Sequence, residues 1–295
     1  MLKKPKNIVV ITLLAVLPCV LLSAISLHAD ALNWNYWGDG KAEVASYRIL
    51  YPRYGELREG KATLITVTET FSEKKKVKSN PGTNPKSDEL PVIKFSLTKK
   101  FQTGIYDYTL SANSFISLRK RGGRPLGRPI KVSFNLQEWC GHVFAQALFN
   151  DSAIDIVSHS YFDGEADQSY SLKASPEVIN EDALLFYARR IVKGIEYDES
   201  ITAVSSLETA RMDHGNLFIR NLKVKFKEQD NKNLITYSTQ GGTLLEVHTQ
   251  KEYPHVITYW KKSNGEEGSL LQHDRLAYWN MSKKQDESHA LSSKK

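Results

Sequence analysis

Residues 130–136 read Ile-Lys-Val-Ser-Phe-Asn-Leu and residues 142–149 read His-Val-Phe-Ala-Gln-Ala-Leu-Phe, with Gly141 near the bend between them. Apolar and polar side chains alternate through much of both segments, and a period of two is typical of a strand with one buried face. A third segment of this kind, residues 154–162, follows the Asn-Asp-Ser sequence at 150–152. The three segments predict successive antiparallel strands joined by short turns.

The same alternation extends outward in both directions. It predicts strands at 41–49, 61–71, 92–97 and 104–110, and again at 201–209, 217–227, 233–239, 243–250, 254–261 and 269–277. The Ser-Asn-Gly sequence at 263–265 is the strongest hairpin signal in the chain.

One segment departs from the strand pattern. Apolar residues recur at helical spacing over residues 176–193, with Ser175 as a candidate N-cap, Pro176 at the first helical position and Gly194 as the stop. We therefore predict a mainly β fold of the α+β class. It consists of a strongly curved antiparallel sheet or open β-barrel, with this one amphipathic helix packed against its hollow.

The N-terminus predicts export. Lys3, Lys4 and Lys6 precede an apolar run over residues 8–27, and Ala-Asp-Ala at 29–31 fits the small-x-small pattern that precedes signal cleavage. We predict a signal peptide at 1–31, a single β-rich domain at 32–280, a disordered tail at 281–295, and a location in the periplasm or at the cell surface. An uncleaved membrane anchor is the alternative, because the apolar run is long enough to span a bilayer.

Net charge argues against nucleic acid as a partner. The chain carries a formal +7, but Lys and Glu are interspersed and no run alternates Arg with aromatic residues. The basic Gly/Pro segment 119–129 lacks the helix and Lys-Ser/Thr pair of a phosphate-binding P-loop. A contact of this segment with an anion or an acidic lipid stays open.

Cys140 would be the only cysteine left after signal cleavage, so no internal disulfide is expected. With Glu138 and His142 it could form a nucleophile, an orienting carboxylate and a base, since alternate residues of one strand share a face. The alternative, which we favour, is a small buried apolar residue, because no cysteine-protease signature surrounds it.

Two histidines and three acids suggest a second kind of chemistry. His142 and His159 with Asp163, Glu165 and Asp167 could bind zinc if their strands pair. No metal-binding motif occurs, however, and the acidic segment lacks the final glutamate of an EF-hand loop. We favour a solvated acidic turn and predict neither a metal nor a cofactor.

Six short blocks lie between residues 34 and 170: Trp37-Gly-Asp-Gly-Lys-Ala-Glu43, Arg53-Tyr-Gly-Glu56, Glu69-Thr-Phe-Ser72, Gly104-Ile-Tyr-Asp-Tyr108, Gln137-Glu-Trp-Cys-Gly-His142 and Ser160-Tyr-Phe162. Together they resemble an uncharacterised family of exported bacterial proteins, some of which carry the label "septum formation inhibitor Maf". Maf proteins proper are cytosolic nucleotide pyrophosphatases with an N-terminal Ser-x-Ser-Pro-Arg-Arg segment, which this sequence lacks, so the label implies no activity here.

The C-terminal part also has a resemblance. Its blocks Tyr253-Pro-His255, Tyr259-Trp260 and Leu276-Ala-Tyr-Trp279 are similar to those of exported β proteins of unknown function. That resemblance implies the open-barrel plan of periplasmic lipoprotein carriers, and it implies a fold without an activity.

These observations favour an exported, non-catalytic binding or carrier protein for an apolar or envelope-derived ligand. A cysteine/histidine-dependent hydrolase or transferase and a structural envelope protein are the alternatives. The expected partners are a lipid or another apolar ligand and components of the cell envelope. The ligand is expected to contact six residues: Tyr106, Tyr108, Trp139, Phe144, His159 and Tyr161.

Overall fold

The computed structural model of the chain describes residues 31–193 and 200–289. All sixteen strands within these ranges belong to one sheet, in the order β10-β11-β12-β13-β14-β15-β16-β1-β2-β4-β5-β6-β7-β8-β9, with β3 paired to β2. Neighbouring strands are antiparallel except β10 and β11. The edge strands β9 and β10 do not pair with each other, so the described part of the sheet is open.

The strands of the first half are long. They are β1 Ala42–Arg53, β2 Glu56–Ser72, β3 Val77–Lys78, β4 Glu89–Thr103, β5 Tyr106–Ser117, β6 Pro129–Glu138, β7 Gly141–Phe149, β8 Ala153–Ser160 and β9 Gln168–Lys173. The second half contains β10 Ile179–Asn180, β11 Ser200–Val204, β12 Ile219–Glu228, β13 Asn233–Thr239, β14 Gly242–Thr249, β15 Ile257–Lys262 and β16 Glu267–Leu276.

The helices are short. They are α1 Trp34–Trp37, α2 Leu184–Ala188 and α3 Leu207–Met212, with 3₁₀ turns at Glu181–Ala183, Tyr278–Asn280 and Lys284–His289. None of the helices in the described ranges has the length and apolar character needed to cross a bilayer.

The sheet is strongly curved around α2. Leu97 on β4 and Leu245 on β14 line the same cavity, although four strands stand between them in the sheet order. In a flat sheet these strands would lie about 24 Å apart. The hollow is filled by α2, whose five residues are all buried, and the ring of Phe186 packs 5.8 Å from that of Phe95 on β4. The predicted fold class, an open, mostly antiparallel sheet with a packed helix, is confirmed.

The predicted helix over residues 176–193 is wrong in extent. Ile179 and Asn180 form β10 and pair in parallel with Ala203 and Val204, and the α-helix covers only Leu184–Ala188. Ser175 caps nothing; the Asn180 side chain instead accepts a hydrogen bond from the Asp182 N–H. Because Leu-Leu-Phe-Tyr-Ala is buried on every side, α2 is a core helix and not an amphipathic one. Gly194 lies outside the described residues.

The predicted strand 201–209 is also too long. Strand β11 ends at Val204, and the Ser206 side chain accepts a hydrogen bond from the Thr209 N–H at the start of α3. A serine in this position stabilises a helix start, which here ends the strand. The Ser-Asn-Gly turn is confirmed between β15 and β16.

A buried ion pair ties the end of α2 to the sheet. The Arg189 guanidinium donates to both Glu43 carboxylate oxygens, at 2.6 and 2.9 Å, and to the Pro254 carbonyl at 2.9 Å. Both side chains are almost fully buried. Burial alone would raise the pKa of Glu43, but the charge of Arg189 overcomes it and lowers that pKa to about 2.

The alternating strand directions give the sheet two distinct ends. The turns at 54–55, 104–105, 139–140, 161–167, 240–241 and 263–266 lie at one end, which we call the mouth end. The connections 73–88, 118–128, 150–152, 229–232 and 250–256 lie at the other, which we call the loop end.

Gly268 is required by the close approach of a tryptophan. It lies directly opposite Trp260, and a Cβ added there would stand 2.2 Å from a carbon of the Trp260 ring. We expect Gly268→Ala to lower the free energy of unfolding by about 1–3 kcal/mol, the usual cost of overpacking. Urea unfolding would measure this against Gly215→Ala, where an added Cβ meets no atom within 4 Å. Equal stability of the two variants would contradict the expectation.

Candidate functional site

A cavity of about 270 Å³ lies at the mouth end between α2 and the sheet. Its inner wall is apolar and is formed by Leu97, Ala112, Leu184, Leu185, Leu244 and Leu245. Its rim carries charged and hydroxyl groups from the 3₁₀ turn, α3, β12 and the β15–β16 hairpin, namely Glu181, Asp182, Ser206, Glu208, Arg220 and Lys262.

Strand register explains how distant parts of the chain build this wall. Leu97 on β4 is directly opposite Ala112 on β5, so both point into the hollow. Leu245 on β14 is paired with Lys262 on β15. Helix α2 supplies Leu184 and Leu185 from the opposite side.

Four charged side chains form a buried network beside the cavity. The Lys99 ammonium lies 2.7 Å from Glu208 and 2.7 Å from Glu266, and Lys262 lies 2.8 Å from the other oxygen of Glu266. Tyr51 donates to Glu208 at 2.9 Å, and the Trp260 indole N–H donates to Glu266 at 3.1 Å. The mutual attraction of two cations and two anions in contact offsets the cost of removing these side chains from water.

Lys262 is the cation of this network that lines the cavity, together with the carboxylate of Glu208. Its side chain retains 24% of its exposure, whereas Lys99 and Glu266 are almost fully buried. Burial alone would lower the pKa of Lys262, but the charges of Glu208 and Glu266 raise it, so that it stays protonated. An ammonium has three N–H donors, so donors remain for a polar group within the cavity.

The opposite part of the rim is held by its own polar contacts. Asp182 accepts hydrogen bonds from the Ser206 hydroxyl and the Leu207 N–H, and burial raises its pKa. Arg220 pairs with both oxygens of Glu181. These contacts attach the 3₁₀ turn to α3 and β12, so the rim is rigid.

Acid should weaken the fold through Glu43 and Glu266. The pKa of Glu266 would be raised by burial, but Lys262 and Lys99 lower it to about 2, as Arg189 does for Glu43. Both values lie below the unfolded value of about 4.3, so their stabilisation is complete above that pH and is lost as pH falls towards 2. For Glu43 the loss is of the order of 3 kcal/mol. Melting temperatures recorded across this range should fall steeply below about pH 4.3; a constant melting temperature would contradict this reading.

An aromatic column joins the cavity to the surface. Ring centroids are 4.5 Å apart for Tyr51 and Phe101, 5.2 Å for Phe101 and Tyr108, 5.9 Å for Tyr108 and Tyr106, and 6.1 Å for Tyr106 and Trp139. Tyr51 belongs to the cavity wall, and Trp139 is 68% exposed at the mouth end. The structure therefore brings together Tyr106, Tyr108 and Trp139, three of the six predicted ligand contacts.

The other three predicted contacts lie on the outer face. Phe144 on β7 and His159 on β8 are directly opposite each other, and with Tyr161, His142 and Asp167 they line a shallow groove. The sheet separates this groove from Tyr106 and Tyr108, whose side chains face the hollow. The six residues thus form two separate surfaces and not one site.

Glu138, Cys140 and His142 do not converge as a strand would have placed them. Cys140 occupies the turn between β6 and β7, and the register pairs Glu138 with Gly141 and Gln137 with His142. Adjacent residues of a strand face opposite ways, so Glu138 and His142 lie on opposite faces. The predicted shared face is wrong because the chain turns between these residues.

Cys140 itself is exposed, so the buried position that we favoured is also wrong. Its backbone N–H donates to the Glu138 carboxylate at 2.8 Å. Contact with that carboxylate raises the pKa of the thiol. A raised pKa lowers the thiolate fraction, which is the opposite of what a nucleophilic cysteine requires.

The predicted acidic turn is partly paired with cations. Glu165 contacts Arg211 and His214, and Asp167 lies 3.1 Å from His159. Within residues 31–193 and 200–289 no group of three or more His, Cys, Asp and Glu side chains is arranged to hold a metal ion.

Comparison with known proteins adds little to this description. No family model matches the chain, and no curated protein matches it. Among solved structures, the chain is similar to a beta-barrel-like protein of the domain of unknown function DUF1849 from Brucella abortus, with 11% identity and a TM-score of 0.42. The match covers 80% of this chain and 98% of that one.

Proposed function

We propose that the protein is an exported, non-catalytic binding or carrier protein for a small apolar ligand with a polar head group. The observation that carries this proposal is the cavity between α2 and the sheet, which combines an apolar wall with the partly exposed ammonium of Lys262. Pockets for small molecules are mostly apolar with a few placed polar groups, and this cavity has that composition.

Cavity size limits the ligand. Typical small-molecule pockets measure about 300–1,000 Å³, and this one is at the lower limit with about 270 Å³. It suits one short acyl chain or a compact apolar molecule better than a whole two-chain lipid. Lys262 would bind a carboxylate or phosphate head group, because its ammonium lines the cavity and is partly exposed.

The mouth end provides a route for such a ligand. Large apolar side chains project from three of its turns or their flanking strands, and Tyr54, Leu57, Ile105 and Trp139 are all more than half exposed. Tyr51, in the cavity wall, stacks on Phe101 next to this rim. Apolar side chains beside a cavity opening would lower the cost of moving an apolar chain from its source into the hollow.

The proposal includes export from the cytoplasm and membership of the exported family that the sequence resembles. The basic and apolar segments at the N-terminus favour export to the periplasm or the cell surface. The block Glu138-Trp-Cys-Gly-His142 would place the chain with the exported family that it resembles. Fractionation of cells that express the full chain, followed by N-terminal sequencing of the purified protein, tests the predicted cleavage after residue 31.

A cavity-filling substitution tests the binding proposal. Leu244 lies in the cavity wall and is partly exposed, so a larger side chain can be placed there without disrupting the deepest core. We expect Leu244→Trp to weaken binding of a fluorescent fatty acid at least tenfold, a loss of about 1.4 kcal/mol. Fluorescence titration of purified protein would measure this.

Leu271→Trp is the matched control. Leu271 is exposed and does not line the cavity, so the same substitution should leave binding unchanged. Circular dichroism should show the same fold for both variants. Equal affinity of the Leu244→Trp variant and the unmodified protein would refute the proposal.

A further inference from the structure

Positive charge is concentrated at the loop end. Three of its connections, residues 73–88, 118–128 and 150–152, contain ten Lys and Arg against three Asp and Glu, a net charge of +7, whereas 229–232 and 250–256 are neutral. The formal charge of the whole chain is also +7, so the remaining residues balance to zero. The sequence pattern of mixed charges concealed this, because the connections become neighbours only in the folded sheet.

Ion pairs hold the three connections together. Glu73 contacts Arg121 at 2.7 Å and Arg124 at 2.9 Å, and Arg124 contacts Asp151 at 2.6 Å. Two of the three acids in these connections, Glu73 and Asp151, are therefore engaged with arginines. The lysines Lys74, Lys86 and Lys120 are exposed, and their charges face solvent.

Like charges crowd one another at this end. Burial and, after it, the charge of Arg124 lower the pKa of Lys76. Concentrated charge of one sign destabilises a folded protein by self-repulsion unless an opposite charge compensates it. An anionic partner at the loop end would provide that compensation.

We propose that the loop end docks against an anionic lipid surface, with Lys74, Lys86 and Lys120 contacting head-group phosphates. Near an anionic membrane, each basic side chain contributes an attraction of about 1 kcal/mol. Several such side chains on adjacent loops therefore provide reversible, salt-sensitive attachment.

The chain entry favours a lipid surface over other anions. Residues 31–41 precede β1 at the loop end, where the Thr68 hydroxyl of β2 donates to the Trp37 carbonyl. The sequence before residue 31 contains the apolar run 8–27, which is long enough to cross a bilayer. While it is still attached, before signal cleavage, that run would hold residue 31 close to the head groups and would turn the loop end towards them.

Composition argues against nucleic acid at the same place. The three basic connections contain no aromatic residue, and Tyr36, Trp37 and Tyr253 at the same end pack against one another. Proteins that bind single strands instead stack bases on exposed aromatic side chains.

Vesicle binding tests this proposal. Protein purified from a bacterial envelope is sedimented with phosphatidylcholine vesicles that contain or lack phosphatidylglycerol, at about 0.1 M salt and at several times that concentration. The readout is the difference in affinity between the two vesicle types. It is compared between variants with the same N-terminus, so that any contribution of Lys3, Lys4 and Lys6 is the same in each. We expect the triple variant K74E/K86E/K120E to bind the phosphatidylglycerol vesicles about a hundredfold more weakly than the unmodified protein does. At high salt, the unmodified protein should bind both vesicle types equally.

The control removes the same charge elsewhere. Lys61, Lys100 and Lys223 are exposed on β2, β4 and β12, away from the loop end, and K61E/K100E/K223E changes the net charge equally, so retained binding by this variant supports the loop end. Equal loss in both triple variants would mean that net charge alone drives binding and would overturn the proposal. Tighter binding of duplex DNA than of the phosphatidylglycerol vesicles, lost in K74E/K86E/K120E, would also overturn it. The fatty-acid titration of Leu244→Trp is independent of these outcomes, so the docking and carrier proposals can fail separately.

Discussion

Arg189→Met should lower the free energy of unfolding by about 3–5 kcal/mol, because it leaves a buried carboxylate without its cation. Glu43 is almost fully buried and receives two short hydrogen bonds from Arg189. Methionine fills similar space but offers no charge, and Tyr36, which donates to Glu43 at 2.8 Å, cannot replace the guanidinium. Urea unfolding followed by tryptophan fluorescence would measure the difference.

Two variants separate the lost charge from lost packing. Arg189→Met combined with Glu43→Gln removes both charges and should recover part of the stability, because no buried ion remains unpaired. Arg48→Met breaks the exposed pair with Glu59 and should leave the unfolding midpoint unchanged. A loss below about 1 kcal/mol for Arg189→Met would contradict the assigned role of the pair.

Lys99→Met should have an effect of similar size, about 3–5 kcal/mol. Lys99 contacts Glu208 and Glu266 at once and is 1% exposed. Its removal leaves two carboxylates with Lys262 as the nearest cation, at 2.8 Å from Glu266 and 3.9 Å from Glu208. Because this network supports the cavity rim, the variant should also bind the fluorescent fatty acid more weakly.

The neighbouring lysine provides a matched control. Lys100 follows Lys99 on β4 and faces solvent, so Lys100→Met should leave both stability and fatty-acid binding unchanged. In the double variant Lys99→Met/Glu208→Gln the loss should be smaller than the sum of the single losses, since the two charges interact directly. Strictly additive losses would show that the network is not one coupled unit.

Much of the sheet could be predicted from local pattern. The period of two in residues 130–149 marks β6 and β7, and the Ser-Asn-Gly turn at 263–265 marks the hairpin β15–β16. These features succeed because they depend on a few consecutive residues whose alternate side chains face core and solvent. Curvature could be predicted only in outline, since the position of Leu97 on β4 and Leu245 on β14 around one cavity depends on the whole sheet.

The helix was mispredicted for the opposite reason. Pro176 and the apolar spacing after it favour a long helix locally, but the pairing of Ile179 and Asn180 with β11 prevails over that preference. The partner strand lies more than twenty residues further along the chain, so no local window contains it. The continuous apolar run Leu-Leu-Phe-Tyr-Ala was the available sign that this helix is buried all round.

The charged network beside the cavity could not be predicted from the sequence. Lys99 lies on the same face of β4 as Phe95, Leu97 and Phe101, which are all buried in the hollow. The inward direction of its side chain could therefore be predicted from the alternation of the strand. Its partners Glu208 and Glu266 are more than a hundred residues away, and no sequence pattern connects them. Cys140 and His142 are reactive residue types that can be recognised in a sequence, whereas the cavity is formed by side chains that only the folded sheet brings together.

Native mass spectrometry of protein purified from a bacterial envelope tests the central proposal most directly. The proposal predicts a chain that carries one small apolar molecule, released on collisional activation, in the unmodified protein and in Leu271→Trp but not in Leu244→Trp. If the unmodified protein and both variants all show the mass of the bare chain, the carrier proposal is contradicted.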